Sequence, residues 1–136
     1  MNIYAYENIF SAMLEYNDGI GENYGNTVVS IPPKSPTYPL TVFDEIRNVA
    51  NRNYNGCFER LSSLGYRVDI FAKTQGAISK QKIARDLAKK FDSFLSDCVG
   101  LLRVSFNVNE NENDGSTYHI IMTYEGTYHE NRMNFI

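Results

Sequence analysis

The chain offers few side chains that could serve as a catalytic base or a metal ligand. His119 and His129 are its only histidines, and they lie ten positions apart. Neither is three or four positions from another good ligand on a helix, the spacing that puts two ligands on one helix face. Asp44 and Glu45 are neighbours at the end of a predicted strand, so their carboxylates point to opposite faces and cannot act as a facing pair. The sequence therefore predicts no catalytic residues, no metal site, no cofactor and no enzymatic activity.

The remaining nucleophile candidates also favour structural roles. Cys57 and Cys98 are the only cysteines, which is too few for a disulfide framework, and no Cys-x-x-Cys pair exists. Cys98 falls on the apolar stripe of a predicted helix, where an inert buried thiol is expected. Cys57 falls in a loop-like stretch and could be exposed. His119 falls on the second face of the last strand, where we expect a solvated or subunit-contact histidine rather than a catalytic one.

Three cations lie about one turn apart along the most clearly predicted helix, at Lys82, Arg85 and Lys89. Such a basic stripe could face an anionic surface, for example DNA that passes through a ring. Charged residues opposite an apolar stripe are more often only a solvated face, and Asp86 can pair with Lys90 along it. Both interpretations stay open.

Length and composition describe an ordinary globular chain. Its 136 residues suit one domain, with 43% hydrophobic and 21% charged residues. The net charge of −3 is spread along the chain, so no concentrated basic face indicates that gripping nucleic acid is the main task. The N-terminus does not resemble a signal peptide, and no apolar run is long enough to span a membrane. Ten tyrosines and no tryptophan suit half-wet surfaces such as subunit contacts, or simply strands.

Two helices are predicted from apolar spacing. The first runs from Ile3 to Leu14 and closes near Gly19. The longer one is capped by Ser79 and ends at Gly100. Its apolar side recurs at spacings of four, four, three and four, at Ile83, Leu87, Phe91, Phe94 and Cys98.

Strands are predicted from alternation and β-branched residues, at 27–31, 38–46 and 62–73 and in a final hairpin at 102–108 and 118–124. The four prolines between positions 32 and 39 interrupt regular structure, and 48–56 is predicted as a loop or an irregular edge. The expected fold is α+β: a mainly antiparallel sheet of about four strands with the long amphipathic helix on one face and a short N-terminal helix. We expect a single domain over residues 1–136.

Four segments together resemble a known family. They are YPLTVFDEI, SSLGYRVDIFAKT, SKQKIARDLAKKFDSFLSD and YHIIMTYEGTYHENRMNFI, and the match runs from about Tyr38 to Phe135. The most specific parts are the strands YRVDIFAKT and YHIIMTYEGTY. These segments are similar to the tail terminator (tail-completion) proteins of long-tailed bacteriophages and phage-tail-like particles.

The resemblance implies a structural virion protein without a cofactor. Such a protein forms a hexameric ring that caps the tail tube, ends tube polymerisation and forms the joint to the head connector. The implied partners are copies of itself, the tail tube protein and the head–tail connector protein, with non-specific contact to passing DNA and no membrane. The implied location is the tail or neck of the virion, after assembly in the host cytoplasm. Within this resemblance, Arg67, Asp69 and Phe71 would form a subunit or tube interface, unless the N-terminal helix covers them, and the basic stripe would face the lumen.

Three other functions remain compatible with the sequence. A head-completion or head–tail joining neck protein would have the same general properties. A small ligand-binding α+β domain would show a concave pocket with convergent polar groups. A nucleic-acid-binding module would show salt-sensitive DNA binding that glutamate substitutions at Lys82, Arg85 and Lys89 abolish.

Overall fold

The computed structural model describes residues 5–50, 61–109, 115–129 and 134–135. Helix α1 spans Ala5–Gly19, and α2 spans Lys80–Ser93 and continues into a π-helical segment, Phe94–Val99. The strands are β1 Thr27–Val29, β2 Leu40–Ala50, β3 Leu61–Ala72, β4 Leu102–Asn109, β5 Tyr118–His129 and β6 Asn134–Phe135. Within these residues, neither helix is long and apolar enough to cross a membrane.

The strands form one mixed sheet in the order β1-β2-β3-β5-β4, with the two-residue β6 beside β5. β1 runs parallel to β2, whereas every other neighbouring pair is antiparallel. Val68 at the centre of β3 lies opposite Phe43 of β2 and Met122 of β5. Directly opposed residues share a face, so these three side chains belong to one side of the sheet.

The predicted sheet and long helix were wrong. The chain is α+β, but its sheet is mixed, with a five-strand path, and the longer helical stretch has only 20 residues. A strand was predicted at 27–31, but its parallel pairing with β2 was missed, because β1 has only three residues and its partner lies beyond the proline loop, with Thr27 opposite Leu40. β2 also continues to Ala50, into a stretch predicted as a loop or irregular edge.

Both helices lie on the same face of the sheet, called here the inner face. The ring of Tyr6 in α1 stacks on Phe43 at 5.3 Å, and its hydroxyl donates to the Phe43 carbonyl at 2.6 Å. Tyr16 stacks on Phe94 at 4.8 Å, which joins α1 to the end of α2. α1 therefore does not cover Arg67, Asp69 and Phe71, which lie on the other face of β3.

The amphipathic pattern of α2 is the reason it packs on the sheet. Ser79 caps it by accepting a hydrogen bond from the Lys82 amide at 3.2 Å, as predicted. Its buried side chains are Ile83, Ala84, Leu87, Ala88 and Phe91. Burying each large apolar side chain contributes roughly 1.5–3 kcal/mol.

The π-helical segment changes which side chains the end of this helix buries. A π-helix has i→i+5 hydrogen bonds, so its side chains drift away from the 3.6-residue stripe. Phe94 and Leu95 stay buried, but Cys98 is exposed, so the prediction of a buried thiol at Cys98 was wrong. Gly100 then ends the helix with a positive φ of 90°, as its position predicted. Cys57 and residues 110–114, which connect the two strands of the predicted hairpin, lie outside the described residues.

Candidate functional site

The structure brings the three residues predicted as an interface into one polar cluster, joined by His119. Arg67, Asp69 and Phe71 alternate along the outer face of β3, and His119 of β5 lies opposite Phe71. The Arg67 guanidinium donates two hydrogen bonds to the Asp69 carboxylate, at 2.9 and 3.0 Å. His119 Nε2 lies 2.7 Å from Asp69 Oδ1, and its ring stacks on Phe71 with centroids 4.1 Å apart. These four residues are called the Asp69 cluster.

Burial and charge fix the protonation of this cluster. Asp69 and His119 are only 8% and 4% exposed, while Arg67 reaches solvent. Burial raises the pKa of the Asp69 carboxyl, but hydrogen bonds from His119 and Arg67 and their charges outweigh it, so the pKa is lowered overall. The hydrogen bond to Asp69 also raises the pKa of Arg67. Because an ionised carboxylate only accepts, Nε2 of His119 is the donor in this bond.

The two described hydroxyls of Ser105 and Thr123 do not form a nucleophilic triad with His119 and Asp69. The hydroxyl pair on the same face, Ser105 and Thr123, is joined at 2.5 Å. Thr123 is four residues along β5 from His119, about 13 Å at the strand rise, which is beyond direct proton transfer. His119 was expected to be a solvated or subunit-contact histidine. It is buried, so the first of these two expectations was wrong. The cluster thus places one solvent-exposed cation, Arg67, beside a buried Asp69–His119 pair on the outer face of the sheet.

The predicted basic stripe divides into two parts. Lys82 pairs with Asp86 at 3.0 Å, and Asp86 also accepts a hydrogen bond from the Tyr24 hydroxyl at 2.6 Å. Those hydrogen bonds lower the pKa of Asp86, and the one from Tyr24 is the largest cause that raises the pKa of Tyr24 to about 12. Arg85 and Lys89 instead line a cavity of about 160 Å³ between α2 and β4. This space is called the α2–β4 cavity.

Two further residues of the α2–β4 cavity, Arg103 and Phe106, come from β4. The Arg85 and Arg103 guanidinium carbons lie 5.9 and 5.8 Å from the centre of the Phe106 ring. Arg103 also pairs with Asp92 at 3.3 Å. Sequence reasoning missed Arg103 and Phe106, because residues three apart in a regular strand lie on opposite faces.

An irregularity in β4 explains why these two side chains share the inner face. Arg103 lies opposite Tyr124, Ser105 lies opposite Thr123, and Val104 is the extra residue between them. Phe106 then lies opposite Met122, on the same face as Tyr124. One additional residue in β4 thus brings Arg103 to the side of α2.

Among the described strands, β4 lies at one end of the sheet path and β1 at the other. Its apolar residues Leu102, Val104, Phe106 and Val108 are 65%, 57%, 37% and 36% exposed. An edge strand carries unpaired backbone donors and acceptors, and exposed apolar side chains make it a template for pairing with another chain. On the other side of the sheet, Ile46 and Val49 of β2 are also about half exposed, at 55% and 50%.

No protein-family model and no curated protein matches the chain. Within the described residues, no group of three or more His, Cys, Asp or Glu side chains is placed to hold a metal ion.

Proposed function

We propose that this chain is a structural subunit that assembles with copies of itself, as a tail terminator that caps the tail tube and joins it to the head connector. The observation that carries the self-assembly is the β4 edge with its exposed Leu102 and Val104. The tube-capping role rests on the resemblance of segments 38–135 to the terminator family.

A closed ring needs two different surfaces, because each subunit contacts the next in a head-to-tail manner. The sheet offers such a pair. One side is the eight-residue β4, and the other carries the exposed Ile46 and Val49 of β2. Burial of these side chains between subunits, together with new backbone hydrogen bonds along β4, would stabilise a ring.

The Asp69 cluster supports a contact role for the outer face. Arg67 is held by two hydrogen bonds, so little conformational entropy is lost when it meets a partner. Phe71 is held against His119 beside it. Both residues lie in the strand YRVDIFAKT, one of the two most specific parts of the resemblance. We assign this face to contact with the tube or a neighbouring subunit.

The test is native mass measured by light scattering over a concentration series, followed by electron microscopy of the largest species. We expect a closed ring, or a monomer that forms one when tail tubes are added. Val104→Lys places a charge on the β4 edge and should abolish the ring while leaving the fold intact. Ile31→Lys is the matched control, because Ile31 is 79% exposed but lies outside the strands.

Two results would overturn the proposal. The first is a wild-type chain that stays monomeric at all concentrations and does not shorten or cap growing tubes. The second is an assembly that Val104→Lys and Ile31→Lys weaken equally, since that would remove the β4 edge from the interface. A ring that forms but does not bind tubes would retain self-assembly and refute the terminator role.

A further inference from the structure

We infer that the α2–β4 cavity binds a phosphate group, with Arg85, Lys89 and Arg103 as its cationic contacts. The site lies between α2 and the irregular part of β4. It goes beyond the proposed assembly, because all its residues come from one subunit.

The charge around the cavity is unbalanced. Three cations line it with a single carboxylate, Asp92. Asp92 already accepts a hydrogen bond from the Tyr124 hydroxyl at 2.6 Å and pairs with Arg103 at 3.3 Å. No described carboxylate lies within ion-pair distance of Arg85 or Lys89, although the charge of Lys89 helps to lower the pKa of Asp86, the direct partner of Lys82. In a chain of net charge −3, this is a local site of positive potential that an anion can neutralise.

Two of the three cations lie near aromatic rings. Arg85 lies near Phe106 and Tyr118, at 5.9 and 6.0 Å from the ring centres, and Arg103 lies near Phe106. Cation–π contacts of this kind restrict the guanidinium groups before any ligand arrives. A preorganised pair of arginines loses less entropy on binding than free surface cations do.

The size of the cavity selects the kind of ligand. Its volume of about 160 Å³ is below the roughly 300–1,000 Å³ that is usual for whole small molecules. It suits a single tetrahedral anionic group rather than a nucleotide base. Arginine donates paired, parallel hydrogen bonds to phosphate oxygens, and lysine adds a point charge. The phosphate could belong to a nucleic-acid backbone or be free in solution, and both offer the same group to these three cations.

The experiment titrates the ¹⁵N-labelled chain with sodium phosphate, with sodium chloride of matched ionic strength as the reference. A parallel titration follows the anisotropy of a labelled DNA duplex at low and at physiological salt. Both are run at a protein concentration whose native mass is known, so that failure of the ring does not affect the result. The variants are Arg85→Gln and Lys89→Gln, with Lys82→Gln as the matched control because Lys82 lies one turn away and outside the cavity.

We expect saturable shifts of the α2 and β4 amides with phosphate, with duplex DNA, or with both. Arg85→Gln and Lys89→Gln should each weaken binding about tenfold, the loss expected for one charge-assisted hydrogen bond. Lys82→Gln should change it less than about twofold. Binding of DNA alone identifies the backbone as the source, and binding of inorganic phosphate alone identifies a free ligand.

The inference fails if neither ligand shifts these amides beyond the chloride reference. It also fails if Lys82→Gln weakens binding as much as Arg85→Gln, because the effect would then be general charge rather than this cavity. Amide spectra of each variant, compared with wild type, separate loss of binding from loss of fold.

Discussion

Two buried tyrosines lie side by side on neighbouring strands. Removing the hydroxyl group should change the stability of the protein in opposite directions at the two positions. Tyr66 of β3 and Tyr124 of β5 are directly opposed and are 0% and 1% exposed. The Tyr124 hydroxyl donates to Asp92 at 2.6 Å. The Tyr66 hydroxyl is buried and has no hydrogen-bond partner among the described residues. We therefore predict that Tyr66→Phe stabilises the protein and that Tyr124→Phe destabilises it.

The magnitudes follow from hydrogen bonding. A buried polar group without a partner costs roughly 1–3 kcal/mol, so Tyr66→Phe should raise the free energy of unfolding by about 1 kcal/mol. Tyr124→Phe removes a hydrogen bond to a carboxylate, which is worth roughly 1.5–3 kcal/mol when buried. Because the Asp92 side chain is 30% exposed and keeps Arg103 and water as partners, we expect a loss at the low end, about 1–2 kcal/mol.

Urea unfolding at neutral pH measures both changes, with an unchanged m-value as the sign that the unfolded state is unaffected. In thermal scans each kcal/mol corresponds to about 4 °C for a chain of this size. The sign of the pH dependence provides a second check. Burial is the largest cause that raises the pKa of both hydroxyls. In the unfolded chain a tyrosine hydroxyl ionises near pH 10. The stability that depends on keeping each buried tyrosine neutral is therefore fully present below about pH 10 and is lost progressively as the pH rises above it.

Above pH 10, the free energy of unfolding should therefore fall less steeply in each variant than in the wild type, by up to about 1.4 kcal/mol per pH unit. A Tyr66→Phe variant that is less stable than wild type by more than about 1 kcal/mol would refute the reasoning, because the hydroxyl would then have a hydrogen-bond partner. Equal effects of the two substitutions would refute it as well.

Two pairs of substitutions test the outer face and the packing of β5 against the C-terminal strand β6. Asp69→Asn should lower the free energy of unfolding by about 2–4 kcal/mol at pH 7, since it leaves His119 buried without its carboxylate, whereas Arg67→Gln should cost about 1 kcal/mol or less. The lowered pKa of Asp69 means that its contribution is present above about pH 4 and is lost as the pH falls through the lowered value, so equal gaps to wild type in urea unfolding at neutral and acid pH would contradict the assignment. Gly126→Ala would place a Cβ 2.8 Å from Phe135 and 2.9 Å from Leu101, and should cost roughly 1–3 kcal/mol in thermal unfolding. Gly21→Ala has nothing within 4 Å and should be nearly neutral, so similar losses in both glycine variants would argue against crowding at β6.

The parts of the fold that depend on local pattern were predictable. Strict alternation through 62–73 predicted β3, which spans Leu61–Ala72, and the apolar stripe with the Ser79 cap predicted α2. The final hairpin was predicted from two alternating runs, and β4 and β5 are antiparallel neighbours. In each case the predicted pattern extends over seven or more residues, so the periodicity is long enough to be distinctive, although the extra residue Val104 interrupts the alternation in β4.

The parts that depend on long-range pairing were not predictable. Asp69 and His119 meet across 50 positions of sequence, and their contact follows from the register between β3 and β5. Nothing local to either residue signals that register. Arg67, Asp69 and Phe71 were singled out from their own strand alone, and His119, which completes the cluster, was expected to be a solvated or subunit-contact histidine.

The basic stripe was divided by contacts that lie outside its own helix. Lys82 differs from Arg85 and Lys89 because Asp86 is held between Lys82 and Tyr24, a residue 62 positions earlier in the chain than Asp86. The helical pattern could place the three cations on one side, but it could not show that β4 would supply Arg103 and Phe106 opposite two of them.

The extra residue in β4 has a consequence for how this protein should be compared with others. Val104 occupies a position that is not matched by any residue of β5. A related chain that lacks this residue would keep all the remaining side chains of β4 on the faces that they have here. The counterparts of Arg103 and Phe106 would then be two positions apart instead of three. A sequence alignment without a gap at Val104 would misalign one half of β4, so the counterparts of Arg103 and Phe106 would not both be recognised. An alignment with a gap at Val104 would align both residues correctly.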